Sequence, residues 1–299
     1  MSMRRYPFAA DTGLLTEEEI LYVDTKVLET FRDVLIARKI FPIRNIGQGG
    51  GAMVYRHYDE EDPSEAQISM TGKGQSDDHP EKTAHDINIP VIHKEFFLNW
   101  RDIAASRRVG PSVLDDSIRT ATRMVAEAED RLLLSGECTG WAALGLEGLF
   151  TATGRTNNAA SGAWPGAAVA DVNVARAALQ AAGFVGIEPL MIGPPALIKC
   201  LDNILANTGM TYRQFLLKNE LVSGIMESSR AFAADCGVDS VVLVIPGEGN
   251  FWAVQDLPIE VNLWYDKSKN VYGTVRETIA PVIGRAASIA EVNTITCTP

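Results

Sequence analysis

The 299-residue sequence predicts an α+β fold. Three observations carry that prediction. Amphipathic helical patterns stand on both sides of a glycine-containing, strand-rich segment. Behind them, short apolar runs bounded by turn residues mix strand and helix lengths. These runs lack the regular βαβ alternation of a parallel-sheet enzyme.

The first helix is predicted from Thr16, which forms a capping box with Glu19. Ile20, Val23, Val27, Phe31 and Val34 make one apolar face, widened by Leu21, Leu28 and Leu35, and Ala37-Arg38-Lys39 supplies the positive charge that suits a helix end. Residues 44–86 change texture. Gly47, Gly49, Gly50 and Gly51 open the segment, 53–58 reads as a strand, an acidic turn with Pro63 follows, and 67–71 reads as the returning strand before a flexible 72–78. Such a polar hairpin cannot supply a core, so it is expected to serve assembly more than folding.

An apolar strand from Ile89 ends at Asn99 and Trp100, and a basic connector holds Arg101, Ser106, Arg107, Arg108 and Gly110. A long helix is predicted from Asp115 or Asp116 to about Leu134, with Gly136 as its stop. Ile118, Ala121, Val125, Ala128 and Leu132 form its apolar face. Glu127, Glu129 and Asp130 fall mostly off that face, which places Glu129 toward solvent or a neighbouring subunit. Arg119, Arg123, Glu127 and Arg131 recur every four residues and tune the helix by ~0.2–0.5 kcal/mol per pair. Farther on, 151–168 reads as a surface loop, 171–182 as a helix, 189–195 as a strand and 196–207 as a helix. Strands follow at 240–245, 252–254, 259–264, 271–280 and 287–292.

With 46% hydrophobic and 22% charged residues, the chain can bury a large core as one big domain or two modest ones. Its apolar runs fall short of the ~18 residues of a membrane span, so no membrane partner is expected. MSMRRYPF is followed by Asp11 and an acidic helix start, without the apolar stretch of a secretory signal, so synthesis in the cytoplasm is expected. Cys138, Cys200, Cys236 and Cys297 lie far apart with no Cys-x-x-Cys pair and read as individually buried, reduced thiols. A net charge of -11 argues against tight sequence-independent binding to nucleic acid, though not against a passive container for it.

Candidate chemistry is sparse. The glycines at 47–51 lack the Gly-Lys-Ser/Thr end and strand-turn-helix setting of a phosphate loop. All four histidines, His57, His79, His85 and His93, fall near Asp59, Asp77, Asp78 and Asp86, but without helical His-x-x-x-His spacing they read as solvated loop residues. No Gly-x-Ser-x-Gly elbow occurs, and the carboxylates at 17–19 and 127–130 are explained by capping and solvation. No catalytic residue, metal ligand or cofactor is therefore assigned.

Three stretches in order carry a family resemblance. Tyr6-Pro7-Phe8-Ala9 leads into the first helix; the strand, basic connector and long helix over 89–136 end in Leu-Leu-Leu-Ser-Gly; and Gly145-Leu146-Glu147-Gly148-Leu149 follows. Together they resemble encapsulins and the related major capsid proteins of tailed phages. The resemblance implies the tailed-phage capsid fold: an N-terminal helix (1–43) and a long spine helix (89–139) in a peripheral domain, an extended loop (44–88) over a neighbouring subunit, an axial domain (140–255) and C-terminal strands (256–299) returning to the peripheral domain. It implies a self-assembling icosahedral shell subunit without catalytic activity, associating with many copies of itself as pentamers and hexamers or as pentamers only.

Candidate inter-subunit contacts are Tyr55, Arg56, Tyr58, Arg101, Arg107, Arg108 and Glu129; the arginines would meet acidic partners on identical neighbours. Some capsid relatives crosslink Lys to Asn, for which Lys73 and Lys82 would be candidates. The long hairpin favours the major capsid protein of a tailed double-stranded DNA virus or prophage, located in the virion and enclosing DNA without binding it tightly. The N-terminal helix, which in encapsulins helps form the groove for a cargo peptide, favours the alternative: a cytoplasmic encapsulin nanocompartment around a cargo protein. A small metal-dependent enzyme using the His/Asp-rich loop is the remote third reading.

Overall fold

The computed structural model describes residues 36–47, 49–60, 70, 82–109, 113–136, 144–206, 208–228, 239–266 and 270–297. The helix expected from Thr16, the returning strand at 67–71 apart from Met70, and Cys138 and Cys236 lie outside these residues.

Apolar alternation produces a four-stranded sheet. Strand β1 (Ile43–Asn45) pairs parallel with β9 (Phe251–Tyr265), which pairs antiparallel with β10 (Val271–Ile283), which pairs antiparallel with β4 (Val91–Leu98). In the first half of β10, Val271 and Val275 are buried while Tyr272, Thr274 and Arg276 are only partly so, the period-2 signature of a sheet covered on one face, whereas 277–282 are buried at every position. The cover is helix α3 (Val113–Ser135), whose Ile118, Ala121, Val125 and Ala126 pack on Leu98, Val261, Val271 and Val275. Two strands were expected at 252–254 and 259–264; one continuous strand runs through both. Pro258, which cannot donate to the ladder, is absorbed where the β9–β10 register shifts between Arg276 and Thr278.

A second sheet has five strands in the order β5 (Thr156–Ala159), β11 (Ile289–Asn293), β8 (Val241–Val244), β6 (Leu190–Gly193) and β7 (Gly224–Glu227). Strands β6 and β8 are buried at every position, as a central pair must be. Helix α4 (Ala168–Ala181) packs Val172, Ala175 and Leu179 into the core with Met191, Val241 and Leu243. Two short helices complete this half: α5 (Pro195–Cys200), begun by a proline at its first turn, and α6 (Tyr212–Lys218), begun by a Thr211/Gln214 capping box. The remaining strands, β2 (Val54–Glu60) and β3 (Lys82–Asn88), form the antiparallel root of the expected hairpin, with Arg56 opposite Asp86 and His57 opposite His85.

Several expectations are corrected. The connector at 101–110 is largely a helix, α2 (Trp100–Val109), capped by Asn99, whose side-chain oxygen accepts from the Arg101 backbone N–H at 2.9 Å. The supposed surface loop at 151–168 contains strand β5 and a fully buried Trp164. Its order comes from Asp171, which accepts from the Trp164 indole N–H at 2.8 Å and from the Ser161 amide and hydroxyl at 2.9 and 2.6 Å. The helix expected over 196–207 stops at Cys200. Cys200 and Cys297 are joined in a disulfide, with Cα atoms 6.2 Å apart, so they are not individual thiols; strand pairing near Trp164 brings together ends that sequence spacing had separated. The last strand, β11, lies in the five-stranded sheet and does not return with β9 and β10 to the other.

Candidate assembly interface

Alternation along β2 sorts the hairpin candidates. Tyr55 and His57 point inward: Tyr55 packs against Ile89, Leu132, Leu146 and Trp252, and the buried His57 ring lies edge-on to Trp252 at 5.9 Å and stacked on His85 at 5.4 Å. Arg56 and Tyr58 point outward and are exposed. Arg56 donates through Nε and Nη2 to the two oxygens of Asp86, each at 2.6 Å, and that hydrogen bonding holds the Asp86 carboxyl below the usual carboxylate range. The hairpin root therefore adds to the core on its inner side, against the expectation of a polar hairpin that supplies none, and His57 is not a solvated histidine.

Arg101, Arg107 and Arg108 all stand on α2. Arg101 is exposed, its guanidinium 5.5 Å from the Trp100 ring centre; the side chains of Arg107 and Arg108 lie outside the described ones. The structure thus presents Arg56, Tyr58 and Arg101 at the surface, and Tyr55 only in part.

Glu129 does not belong with them. Its side chain is 0% exposed, its Oε1 accepts from Arg38 Nε at 2.7 Å, and Arg38 Nη2 also donates to the buried Glu277, which accepts from Gln255 at 2.6 Å. Burial, and then the charge of Glu277, push the Glu129 carboxyl well above its ordinary range, with Arg38 opposing; burial also raises Glu277. The neighbouring Asp130 is raised by burial too, although it accepts from the backbone N–H groups of Ala37 (2.9 Å) and Ile36 (3.1 Å). Together they anchor α1 (Ala37–Ile40) against α3. The helical phase assignment failed here because an amphipathic helix between two elements has no solvent face over that turn; the one sequence signal was Arg38, a cation placed to meet the carboxylates.

The Gly145–Leu149 turn has a direct packing cause. A Cβ at Gly148 would stand 2.6 Å from the Leu134 carbonyl oxygen, one at Gly136 2.5 Å from the Gly148 nitrogen, and the Phe150 N–H donates to that same Leu134 oxygen at 2.9 Å. The two glycines let the turn lie against the end of α3. Among the described residues, no three His, Cys, Asp or Glu side chains come together to hold a metal ion, and no helix is long and apolar enough to cross a membrane.

Comparison with known proteins identifies what carries such an arrangement. Residues 11–278 match a family model, Linocin_M18, described as an encapsulating protein for peroxidase. The chain is 30% identical over 223 residues to the type 1 encapsulin shell protein EncA of Myxococcus xanthus, covering 72% of this chain and 73% of that one. Its structure is similar to a virus-like particle from Pyrococcus furiosus (TM-score 0.68, 14% identity, 92% of this chain and 100% of that one). It is also similar to the capsid of Myoviridae phage XM1 (TM-score 0.67, 10% identity, 87% and 91%) and to the SrpI encapsulin of Synechococcus elongatus (TM-score 0.59, 11% identity, 89% and 89%).

Proposed function

The chain belongs to the family of encapsulating proteins for peroxidase, a shell-forming family of the capsid and encapsulin type, and from that premise we propose that it is the shell subunit of an encapsulin nanocompartment. The family match across residues 11–278 carries this reading; likeness to phage capsids at 10% identity speaks for the shared fold alone. The balance therefore moves from the viral capsid expected from the hairpin to the alternative. Many copies associate with themselves and close around a cargo protein in the cytoplasm, and the subunit contributes geometry and no reaction. Each contact can be weak because closure repeats it over every copy. We assign the four-stranded sheet with α3 to the peripheral domain, the five-stranded sheet to the axial domain, and the hairpin, α2, Arg56, Tyr58, Arg101, Arg107 and Arg108 to contacts between subunits.

One observation keeps the capsid reading as a second: the span between Glu60 and Lys82, the ends of β2 and β3, is long enough for a loop that interlocks a DNA-filled shell. Imaging and content analysis of purified particles separate the two. Hollow megadalton particles that contain a co-purified protein and no DNA are expected; particles filled with DNA would install the capsid reading, and a species of one to four subunits would remove both.

A further inference from the structure

At the end of the four-stranded sheet where β10 begins, α3 covers one face and the other is open. On the opposite face Phe97, Tyr272 and Trp264 stand side by side in register across β4, β10 and β9, with ring centres 4.9 Å apart for Phe97 and Tyr272 and 6.0 Å apart for Tyr272 and Trp264. Phe97 is 50% and Trp264 45% exposed. Trp100, also exposed, belongs to the same end of the sheet, its backbone N–H donating to Asn270 two residues before Tyr272. Three of the four exposed large aromatics among the described residues, Phe97, Trp100 and Trp264, therefore gather at one end of one sheet, with the Arg101 guanidinium beside Trp100. Scattered apolar residues are ordinary on a protein surface, whereas contiguous exposed aromatic side chains are the kind of patch that marks an interaction site.

Resting on the shell reading above, we propose that this rung is a contact surface for a second copy of the same chain. Its shape and its charge support that occupant. The rings stand on a sheet face and not in a cleft, which suits a broad protein surface and not a small molecule. Both signs of charge lie within reach of the rung: Glu95 projects from the same face of β4, two residues from Phe97, and the exposed Arg101 adjoins Trp100. A patch holding both signs is complementary to itself, and in a chain of net charge -11 the cation at its margin finds abundant acidic partners on an identical molecule.

Hydroxyl-radical footprinting of Trp264 and Tyr272, on assembled protein and on dissociated subunits, tests the proposal directly. Several-fold protection of both residues in the assembled form is expected, in empty shells as well as filled ones. The double variant F97S/W264S, checked for native circular dichroism, should leave mostly free subunits by mass photometry at concentrations where the unchanged chain is assembled. Shells in which Trp264 is as reactive as in free subunits sink the proposal while leaving the shell reading intact. Protection found only in filled shells would give the rung to the cargo and overturn it. An unchanged chain that never assembles removes the shell reading and this occupant together. Should the variant not fold, the footprint of the unchanged chain decides.

Discussion

Arg38 and Glu129, ninety-one positions apart in the chain, meet at 2.7 Å in the interior, where one guanidinium serves two buried carboxyl groups. Removing the cation leaves both acids without its positive charge, and Glu277 with the neutral Gln255 amide. Arg38→Met is expected to cost about 3–5 kcal/mol of stability at neutral pH. Because the folded state holds the Glu129 proton more tightly than the unfolded chain, this group stabilises most at acidic pH. Its contribution falls as pH rises above the ordinary glutamate value of ~4.3 toward the raised folded value. The penalty of Arg38→Met should therefore shrink near pH ~5, and Glu129→Gln should flatten the pH dependence of the urea midpoint. Equal penalties at both pH values would refute the raised titration of Glu129.

Neighbouring positions on α3 test its phase. Val125 is buried in the sheet-facing core and Met124 is 43% exposed. Val125→Asp should block folding, since an unpaired buried carboxylate costs several kcal/mol, whereas Met124→Asp should stay within ~0.5 kcal/mol by thermal melting.

The Cys200–Cys297 disulfide closes a loop with a sequence separation of 97. Alkylation in denaturant without reductant should leave both residues unmodified, and reduction should lower stability by about 2–4 kcal/mol. Quantitative labelling of both thiols in freshly purified protein would contradict the bond.

Gly148→Ala puts a methyl group against the Leu134 carbonyl and should destabilise the subunit by ~1–3 kcal/mol in denaturant melts. Full stability in that variant would mean that the turn can move away from α3 at little cost.

On the proposed assignment of Arg107 and Arg108 to a contact between subunits, exchanging both for Glu is expected to place like charge against an acidic neighbour, and a loss of only ~1 kcal/mol per contact would shift assembly toward free subunits. Light scattering should show partial recovery in high salt, because screening shortens the repulsion to less than ~10 Å. Normal assembly with lost affinity for DNA would show instead that the strip binds nucleic acid.

Local pattern made much of the fold legible. The strand expected at 271–280 and the apolar face of α3 can be read from neighbouring residues, and each settles into the element it predicts. The failures share a different cause. Glu129 looks like a surface residue until Arg38 and Glu277 arrive from distant strands and helices; Trp164 looks like loop until Asp171 holds it; Cys200 and Cys297 look like separate thiols until the sheet brings them together. The aromatic rung escaped notice for the same reason, since its members lie on three strands whose register only the folded sheet reveals. Among the proposed interface residues, the exposed basic and aromatic side chains were legible by type, whereas the direction in which Tyr55 and Glu129 point was not.

The position of β11 bears on the timing of synthesis. Ala290 lies opposite both Thr156 and Leu243, so the strand sits between two partners that leave the ribosome before it. The hairpin, α2 and α3 are all made while that slot is still vacant. A nascent chain can display much of its outer surface and still lack a closed central sheet, so translation has to pass residue 293 before the product is complete. Chains broken off earlier would leave β5 and β8 without the strand that joins them, and so lack an interior strand of the five-stranded sheet.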